Sequence, residues 1–414
     1  MTGSGRGRGR GRGAGRWAGP VLALLLLLTS ACGTSAPAGT TEREVRRTLD
    51  LRAAAVLDRD EAAYLAALDP AASALRAAAR EEFANLADVP LKSWAYRLTS
   101  LRRNGSTATA RVELRYRLDG YDRAPATVDR ELELEQDEDE GRWYVAADRP
   151  VEGGTRQIWQ QGRVTVVRGT HSLVLGVGRT AGTLREVAEA ADRAVAVVDA
   201  AWTGDWGGRV VVLVPGSLDG MASLLGAPAA GYRGIAAVTT GRSGASPAAS
   251  SDRVIVNPEA YAVLGELGRS VVLTHETAHV ATRAVTSAAT PLWLSEGFAD
   301  WLAYRGTDRT ADQAAPELRR AVRGGGLPGR LPADEEFGFG GDADRLARAY
   351  EGGWLACRMI ADHWGEEKLT AFYRAVGAHQ QRAGAVEREM DEVLSTTPED
   401  FTARWRAYLR VRLG

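Results

Sequence analysis

The five residues from His275 to His279 constrain the fold of this chain more than any other segment. They read His-Glu-Thr-Ala-His, and they hold two of the five histidines in the sequence. Residues four positions apart lie on the same face of a helix, so both imidazoles can point at one metal ion. Glu276 then lies beside the open position of that metal, where a carboxylate can act as a base. The segment therefore predicts a helix that carries a catalytic zinc site.

Two histidines do not complete such a site, because a catalytic zinc takes three protein ligands and a water. A second segment, residues 291–300, reads Pro-Leu-Trp-Leu-Ser-Glu-Gly-Phe-Ala-Asp. Pro291 is suited to the first turn of a helix, so Glu296 and Asp300 are expected on one helical face. Glu296 is then the candidate third ligand. Asp300 is expected to accept a hydrogen bond from a ligating imidazole and to fix its orientation.

The two segments together resemble the gluzincin metallopeptidases, especially the aminopeptidase N-type branch and the smaller peptidase MA-like proteins of bacteria. The resemblance covers residues 155–414 approximately, and it is specific over residues 275–300. It implies a zinc-dependent hydrolase of peptide bonds, in which Glu276 is general base and then general acid and Asp300 supports a histidine. It also implies one Zn²⁺ ion with three ligands: His275, His279 and Glu296.

A third segment, residues 349–354, reads Ala-Tyr-Glu-Gly-Gly-Trp and is similar to a Tyr-Glu-Lys-Gly stretch of the aminopeptidase N-type enzymes. The resemblance implies that Tyr350 stabilises the tetrahedral intermediate. Gly352 stands where those enzymes have lysine. They also have a Gly-x-Met-x-Asn-like segment whose glutamate binds the free amino terminus of a substrate. Residues 234–238 occupy roughly that place without an acidic residue, which favours an endopeptidase over an enzyme that trims chain ends.

The N-terminus has the pattern of a targeting segment. An arginine-rich stretch is followed by an apolar run over residues 21–28, which is too short to span a bilayer. Residues 29–32 read Thr-Ser-Ala-Cys and resemble a bacterial lipobox, with threonine where leucine is usual. We therefore expect residues 1–31 to be a lipoprotein-type signal peptide and Cys32 to carry the lipid. The protein is then extracytoplasmic and anchored to the cell membrane, and an ordinary signal with a secreted product is the alternative.

Charge and cysteine content restrict the partners further. The chain has 52 basic and 53 acidic residues, and five of its arginines precede residue 31, so the remainder is slightly acidic. This balance gives no support to nucleic-acid binding, and the resemblance implies a peptide or protein substrate instead. The second cysteine, Cys357, lies in an apolar helical pattern and is expected to be a buried thiol. No pattern in the sequence indicates an oligomeric state.

The sequence predicts two folded domains of the α+β class. Residues 32–41 are rich in Gly, Ser, Thr, Ala and Pro and are expected to form a flexible tether. Residues 42–150 begin with helical stretches over residues 42–68 and about 71–86 and continue with alternating strands, an order that resembles the cone-shaped nuclear-transport-factor-like domains. No convergent polar set is evident there, so a spacer or docking role is expected.

Residues 151–414 form the gluzincin domain that the resemblance implies. Its first part combines apolar strand patterns with an amphipathic helix and predicts a mixed sheet, and from about residue 264 only helices are expected.

Two alternatives to an active peptidase remain open at this stage. One is a zinc-containing envelope lipoprotein without catalysis, which acts as a binding or docking module. The other is a latent enzyme whose cleft is covered by the Gly/Pro-rich residues 324–341. Glu276 favours chemistry over the first alternative, because a structural zinc site has no need of a carboxylate that is not a ligand.

Overall fold

A computed structural model describes residues 38–137, 139–241, 251–338 and 341–414. These residues form a mixed α and β protein with two sheets and many helices. The predicted signal peptide and Cys32 lie outside the described residues. Helix α1 begins at Ala38, so residues 38–41, which were assigned to the flexible tether, are helical instead. None of the described helices has both the length and the apolar character needed to cross a bilayer.

Residues 38–150, the predicted first domain, form three helices and an antiparallel sheet in which each strand pairs with the next along the chain, and the first and third helices contact that sheet. Strand β2 buries every second residue, as its alternating sequence predicts. The helices and strands are α1 (Ala38–Asp58), α2 (Glu61–Ala66), α3 (Ser73–Asn85), β1 (Leu91–Asn104), β2 (Thr107–Leu118), β3 (Ala126–Gln136) and β4 (Trp143–Pro150).

The first helical stretch is not continuous, contrary to the expectation of one helix over residues 42–68. Arg59 has a φ of 58°, in the left-handed region, and this residue ends the helical run after α1. Asp60 then starts α2, because its carboxylate accepts a hydrogen bond of 2.9 Å from the backbone N–H of Ala63.

The second sheet is mixed and has the strand order β5-β6-β7-β9-β8. Strands β6, β7 and β9 run parallel to one another, and β5 and β8 pair antiparallel at the two edges. Helix α4 packs against the sheet and also against helix α7 (Glu266–Thr282). The elements are β5 (Val164–Arg168), β6 (Ser172–Val177), α4 (Ala181–Asp199), β7 (Val210–Val214), α5 (Leu218–Leu225), β8 (Ala237–Thr239) and β9 (Val254–Val256).

From residue 258 onward the described chain is helical. Helix α8 packs against both α7 and α11, and these three helices carry the candidate site. The helices are α6 (Pro258–Ala262), α7 (Glu266–Thr282), α8 (Leu292–Tyr304), α9 (Ala311–Ala314), α10 (Pro316–Arg323), α11 (Ala343–Trp364), α12 (Glu366–Ala378), α13 (Ala385–Glu392) and α14 (Pro398–Leu413).

Helices α8 and α11 approach each other backbone to backbone. A Cβ atom placed on Gly353 would lie 2.7 Å from the main-chain oxygen of Trp293, and one placed on Gly297 would clash with the main chain of Gly353. Only glycine permits this separation at the crossing. The close approach brings Glu296 on α8 near Tyr350 on α11.

A buried ion pair joins the first domain to the second sheet. Arg253, directly before β9, donates to both carboxylate oxygens of Asp122 at 2.7 and 2.8 Å. Asp122 also accepts from the backbone N–H of Leu118 at 2.7 Å, at the end of β2. Because both charges are buried, removing either partner would leave the other uncompensated.

Candidate metal centre

Helices α7 and α8 bring the three predicted ligands together. His275 and His279 lie one turn apart on α7, and their Nε2 atoms are 3.0 Å apart. The Oε2 atom of Glu296 on α8 lies 3.3 Å from His275 Nε2 and 3.4 Å from His279 Nε2. The ligand atoms of these residues all lie within 4.8 Å of one another. Three donor atoms from two helices therefore converge on one point.

Asp300 lies one turn after Glu296 and contacts the far side of the first imidazole. Its Oδ1 atom is 2.8 Å from His275 Nδ1. A protonated Nδ1 would donate a hydrogen bond to this carboxylate. The lone pair of Nε2 is then directed towards the other two metal-ligand atoms. Asp300 thus holds the ring in the orientation that a metal ligand requires.

The imidazoles and carboxylates of the cluster shift one another's pKa values. Burial would lower the pKa of His275, but the hydrogen bond to Asp300 and the nearby carboxylates of Glu296 and Glu276 hold it well above its usual range. Burial would raise the pKa of Glu296, but the two imidazoles hold it well below its usual range. Two imidazole nitrogens and an ionised carboxylate form a donor set that matches the preferences of zinc, and metal binding would displace the proton that the raised pKa of His275 favours.

Glu276 is buried beside this cluster and is held by strand β8. Its side chain is 7% exposed, and its Oε2 atom accepts a hydrogen bond of 2.6 Å from the Thr239 hydroxyl. The same hydroxyl lies 3.1 Å from the main-chain oxygen of Glu276. The carboxylate is close enough to raise the pKa values of both His275 and Tyr350. Its position and its fixed orientation suit a general base.

Tyr350 on α11 faces the same cluster. Its ring centroid is 6.3 Å from that of His275 and 5.2 Å from that of Phe337. Burial raises the pKa of Tyr350 well above its usual range, and the carboxylates of Glu296, Asp300 and Glu276 raise it further. The hydroxyl therefore stays protonated at neutral pH and can donate a hydrogen bond.

Sequence reasoning missed two residues that support the site. Thr239 directly follows the strand pattern of residues 234–238, and only the pairing of β8 beside α7 shows that it meets Glu276. Asp334 lies in the Gly/Pro-rich segment, where its Oδ1 atom accepts a hydrogen bond of 2.9 Å from the backbone N–H of Leu292. It therefore caps the first turn of α8, the helix that carries Glu296.

Two further potentially reactive side chains have structural surroundings. Cys357 is fully buried, and burial raises its pKa, so its thiol is a poor nucleophile. His379 lies 2.7 Å from Oε1 of Glu389 through its Nε2 atom, which is a satisfied structural contact.

No protein-family profile matches this chain, and no curated protein matches it. Among solved structures, the chain is similar to a two-domain M1 zinc metallopeptidase, crystallised as a mutant bound to L-arginine. The identity is 16%, the TM-score is 0.34, and the match covers 78% of this chain and 62% of that chain. The chain thus spans less than two thirds of the length of that peptidase. A likeness at this level assigns no function, so the residues of the site have to do so.

The fold and the site together define a mixed α and β protein with a candidate His-His-Glu zinc centre.

Proposed function

We propose that this protein is a zinc-dependent peptidase, an endopeptidase that acts at the outer face of the cell membrane. One observation carries the proposal. Glu276 is buried beside three converging metal ligands, is not itself part of that group, and is oriented by the Thr239 hydroxyl. A site that served structure alone would have no use for a second, separately held carboxylate.

The residues of the site divide the reaction between them. His275, His279 and Glu296 would hold the ion. Zinc, when bound, lowers the pKa of its water to about 7 and polarises a carbonyl. Glu276 accepts the proton of the attacking water and then delivers it to the departing amine. The Tyr350 hydroxyl donates a hydrogen bond to the former carbonyl oxygen as negative charge develops there.

Strand β8 supports internal cleavage. It lies at one edge of the described sheet, pairs with β9 on one side only, and ends at Thr239 next to Glu276. An extended peptide that added to this edge would pass beside the metal ligands. Residues 234–238 read Gly-Ile-Ala-Ala-Val and contain no acidic residue that could bind a free amino terminus. The strand can therefore pair with the backbone of an extended peptide without requiring a free amino terminus.

The alternative is a zinc-containing envelope lipoprotein that acts as a binding or docking module. Structural zinc sites are usually closed by four protein ligands. The metal-binding group found among the described residues has three, which is the number of a catalytic site. The ligand number and Glu276 both favour the peptidase.

Zinc content and peptide cleavage separate these functions. The wild-type protein and Glu276→Gln should both bind one zinc ion, and only the wild type should cleave a peptide library, at internal bonds. Protein without zinc would reject the metal centre. Bound zinc with equal inactivity of the two proteins would favour the docking module, and cleavage confined to chain ends would reject the endopeptidase.

The proposed location depends on Cys32, and it has its own test. Cells grown with labelled palmitate should incorporate the label into the wild-type protein and not into Cys32→Ser. An unlabelled wild-type protein in the culture medium would support the secreted alternative.

A further inference from the structure

A second site lies in the first domain, away from the metal centre. A cavity of about 480 Å³ is lined by α1, α3, β3, β4 and the segment that follows β4. This volume is within the range of small-molecule sites. Its walls include six residues of contrasting chemistry: Arg52, Ala78, Glu82, Arg130, Asp148 and Trp159.

Two buried guanidinium groups share one carboxylate at this cavity. Arg52 Nη1 lies 2.8 Å from one oxygen of Asp148, and Arg130 Nε lies 2.5 Å from the other. The exposed fraction of the side chain is 2% for Arg52, 6% for Arg130 and 8% for Asp148. Two positive charges are therefore held out of water by a single negative charge, an arrangement that favours a further anion.

The same arginines have donors that are not used. Among the described residues, Arg130 Nη1 and Arg52 Nε are buried and have no hydrogen-bond partner. A buried donor on a charged group is costly when it is unpaired, so each such donor requires an explanation. Both arginines line the cavity, so an acceptor bound there would lie beside their guanidinium groups.

Among the described residues, Glu82 pairs with tryptophan and glutamine donors rather than with either arginine. Its Oε1 atom accepts hydrogen bonds from Trp159 Nε1 at 3.2 Å and from Gln160 Nε2 at 3.4 Å. Burial raises the pKa of Glu82, and the charge of Asp148 raises it further, although the two arginines act against this rise. Among the described carboxylates, Asp148 alone forms ion pairs with Arg52 and Arg130.

We propose that this cavity binds a small amphipathic carboxylate, with its charged end at Arg130 and its apolar end against the Trp159 wall. A guanidinium group matches a carboxylate in shape and charge, and the remaining wall supplies apolar surface from Leu75, Ala79 and Pro150. The spacer role expected for this domain depended on the absence of convergent polar side chains. The cavity contains such a set, so that premise was wrong. The inference does not depend on zinc or on peptidase activity.

Calorimetric titration of the full-length protein tests the charge requirement. Hexanoate is the probe, and hexanamide is its uncharged match of nearly the same size. Hexanoate should bind saturably, and hexanamide should bind at least about tenfold more weakly, because a charge-assisted hydrogen bond is lost. No saturable binding of hexanoate, or equal binding of the two probes, would overturn the proposal.

A pair of variants on α3 tests the location. Ala78 is exposed and lines the cavity, so Ala78→Phe should occupy the space and weaken hexanoate binding by about tenfold or more without disturbing the core. Ala77 is also exposed but does not line the cavity, so Ala77→Phe should bind hexanoate like the wild type. Equal binding by both variants would place the ligand elsewhere and reject this site.

Discussion

The Thr239 hydroxyl donates a hydrogen bond of 2.6 Å to Oε2 of Glu276. Thr239 is the last residue of the edge strand β8, and Glu276 lies in the middle of α7. A hydroxyl from the sheet therefore holds the carboxylate that follows the first histidine of the candidate metal site. Among the described residues, only one of the two carboxylate oxygens accepts a side-chain hydrogen bond, so the other can accept a proton from water.

Removing this hydroxyl should slow catalysis without removing the metal. In Thr239→Val the shape of the side chain is kept, but the Glu276 carboxylate loses its orienting donor. We expect kcat/KM to fall by about 10- to 150-fold, because a hydrogen bond to a charged group contributes about 1.5–3 kcal/mol. Steady-state kinetics and zinc analysis measure the two effects. Thr239→Ser keeps the donor and should retain most of the activity. A valine variant as active as the serine variant would show that the hydrogen bond has no part in catalysis.

Tyr350→Phe should lower kcat while substrate binding stays nearly unchanged. The substitution removes the hydroxyl that is expected to stabilise the developing oxyanion, and it keeps the ring contact with Phe337. By comparison with other oxyanion donors, the barrier should rise by about 3–4 kcal/mol. Separate determination of kcat and KM checks the prediction. A change confined to KM would instead assign Tyr350 to binding of the ground state.

Asp300→Asn should weaken zinc binding. Asp300 accepts a hydrogen bond from His275 at 2.8 Å, and its charge supports the basicity of that imidazole. Loss of such a partner typically reduces metal affinity by about 10–100-fold. Competition with a zinc chelator of known affinity measures the change. The control is Asp308→Asn, an exposed position in the loop after α8, which should bind zinc like the wild type. Equal affinities of the two variants would contradict the role of Asp300.

The crossing of α8 and α11 should not tolerate a methyl group. A Cβ atom at position 297 would clash with the main chain of Gly353, so Gly297→Ala has to push the two helices apart. We expect the free energy of unfolding to fall by about 1–3 kcal/mol, as for other overpacked cores. Gly182→Ala is the matched control, because it lies near the start of α4 and its Cβ meets no atom closer than 3.6 Å. Alanine should stabilise the protein there by up to about 1 kcal/mol. Chemical denaturation measures both changes, and equal stability of Gly297→Ala and wild type would contradict the clash.

Some components of the candidate site could be predicted from the sequence more fully than others. The helices over residues 275–279 and 291–300 followed from spacing, because residues four positions apart share a face whatever the rest of the fold does. The convergence of Glu296 on the two histidines needed the resemblance as well, since spacing alone does not fix how α7 and α8 pack. The first helical stretch was predicted too long, because nothing in the residue types of that stretch indicates that Arg59 adopts the left-handed conformation.

The sequence by itself determined which residue types are available for zinc chemistry and on which helical faces they lie. These properties are local, because they depend on backbone periodicity over a few residues. Only the tertiary structure decided that Thr239 orients Glu276, 37 positions away, and that Arg52 and Arg130 share Asp148 across 96 and 18 positions. Such contacts depend on how sheets and helices pack, and packing is set by the whole core rather than by any one segment.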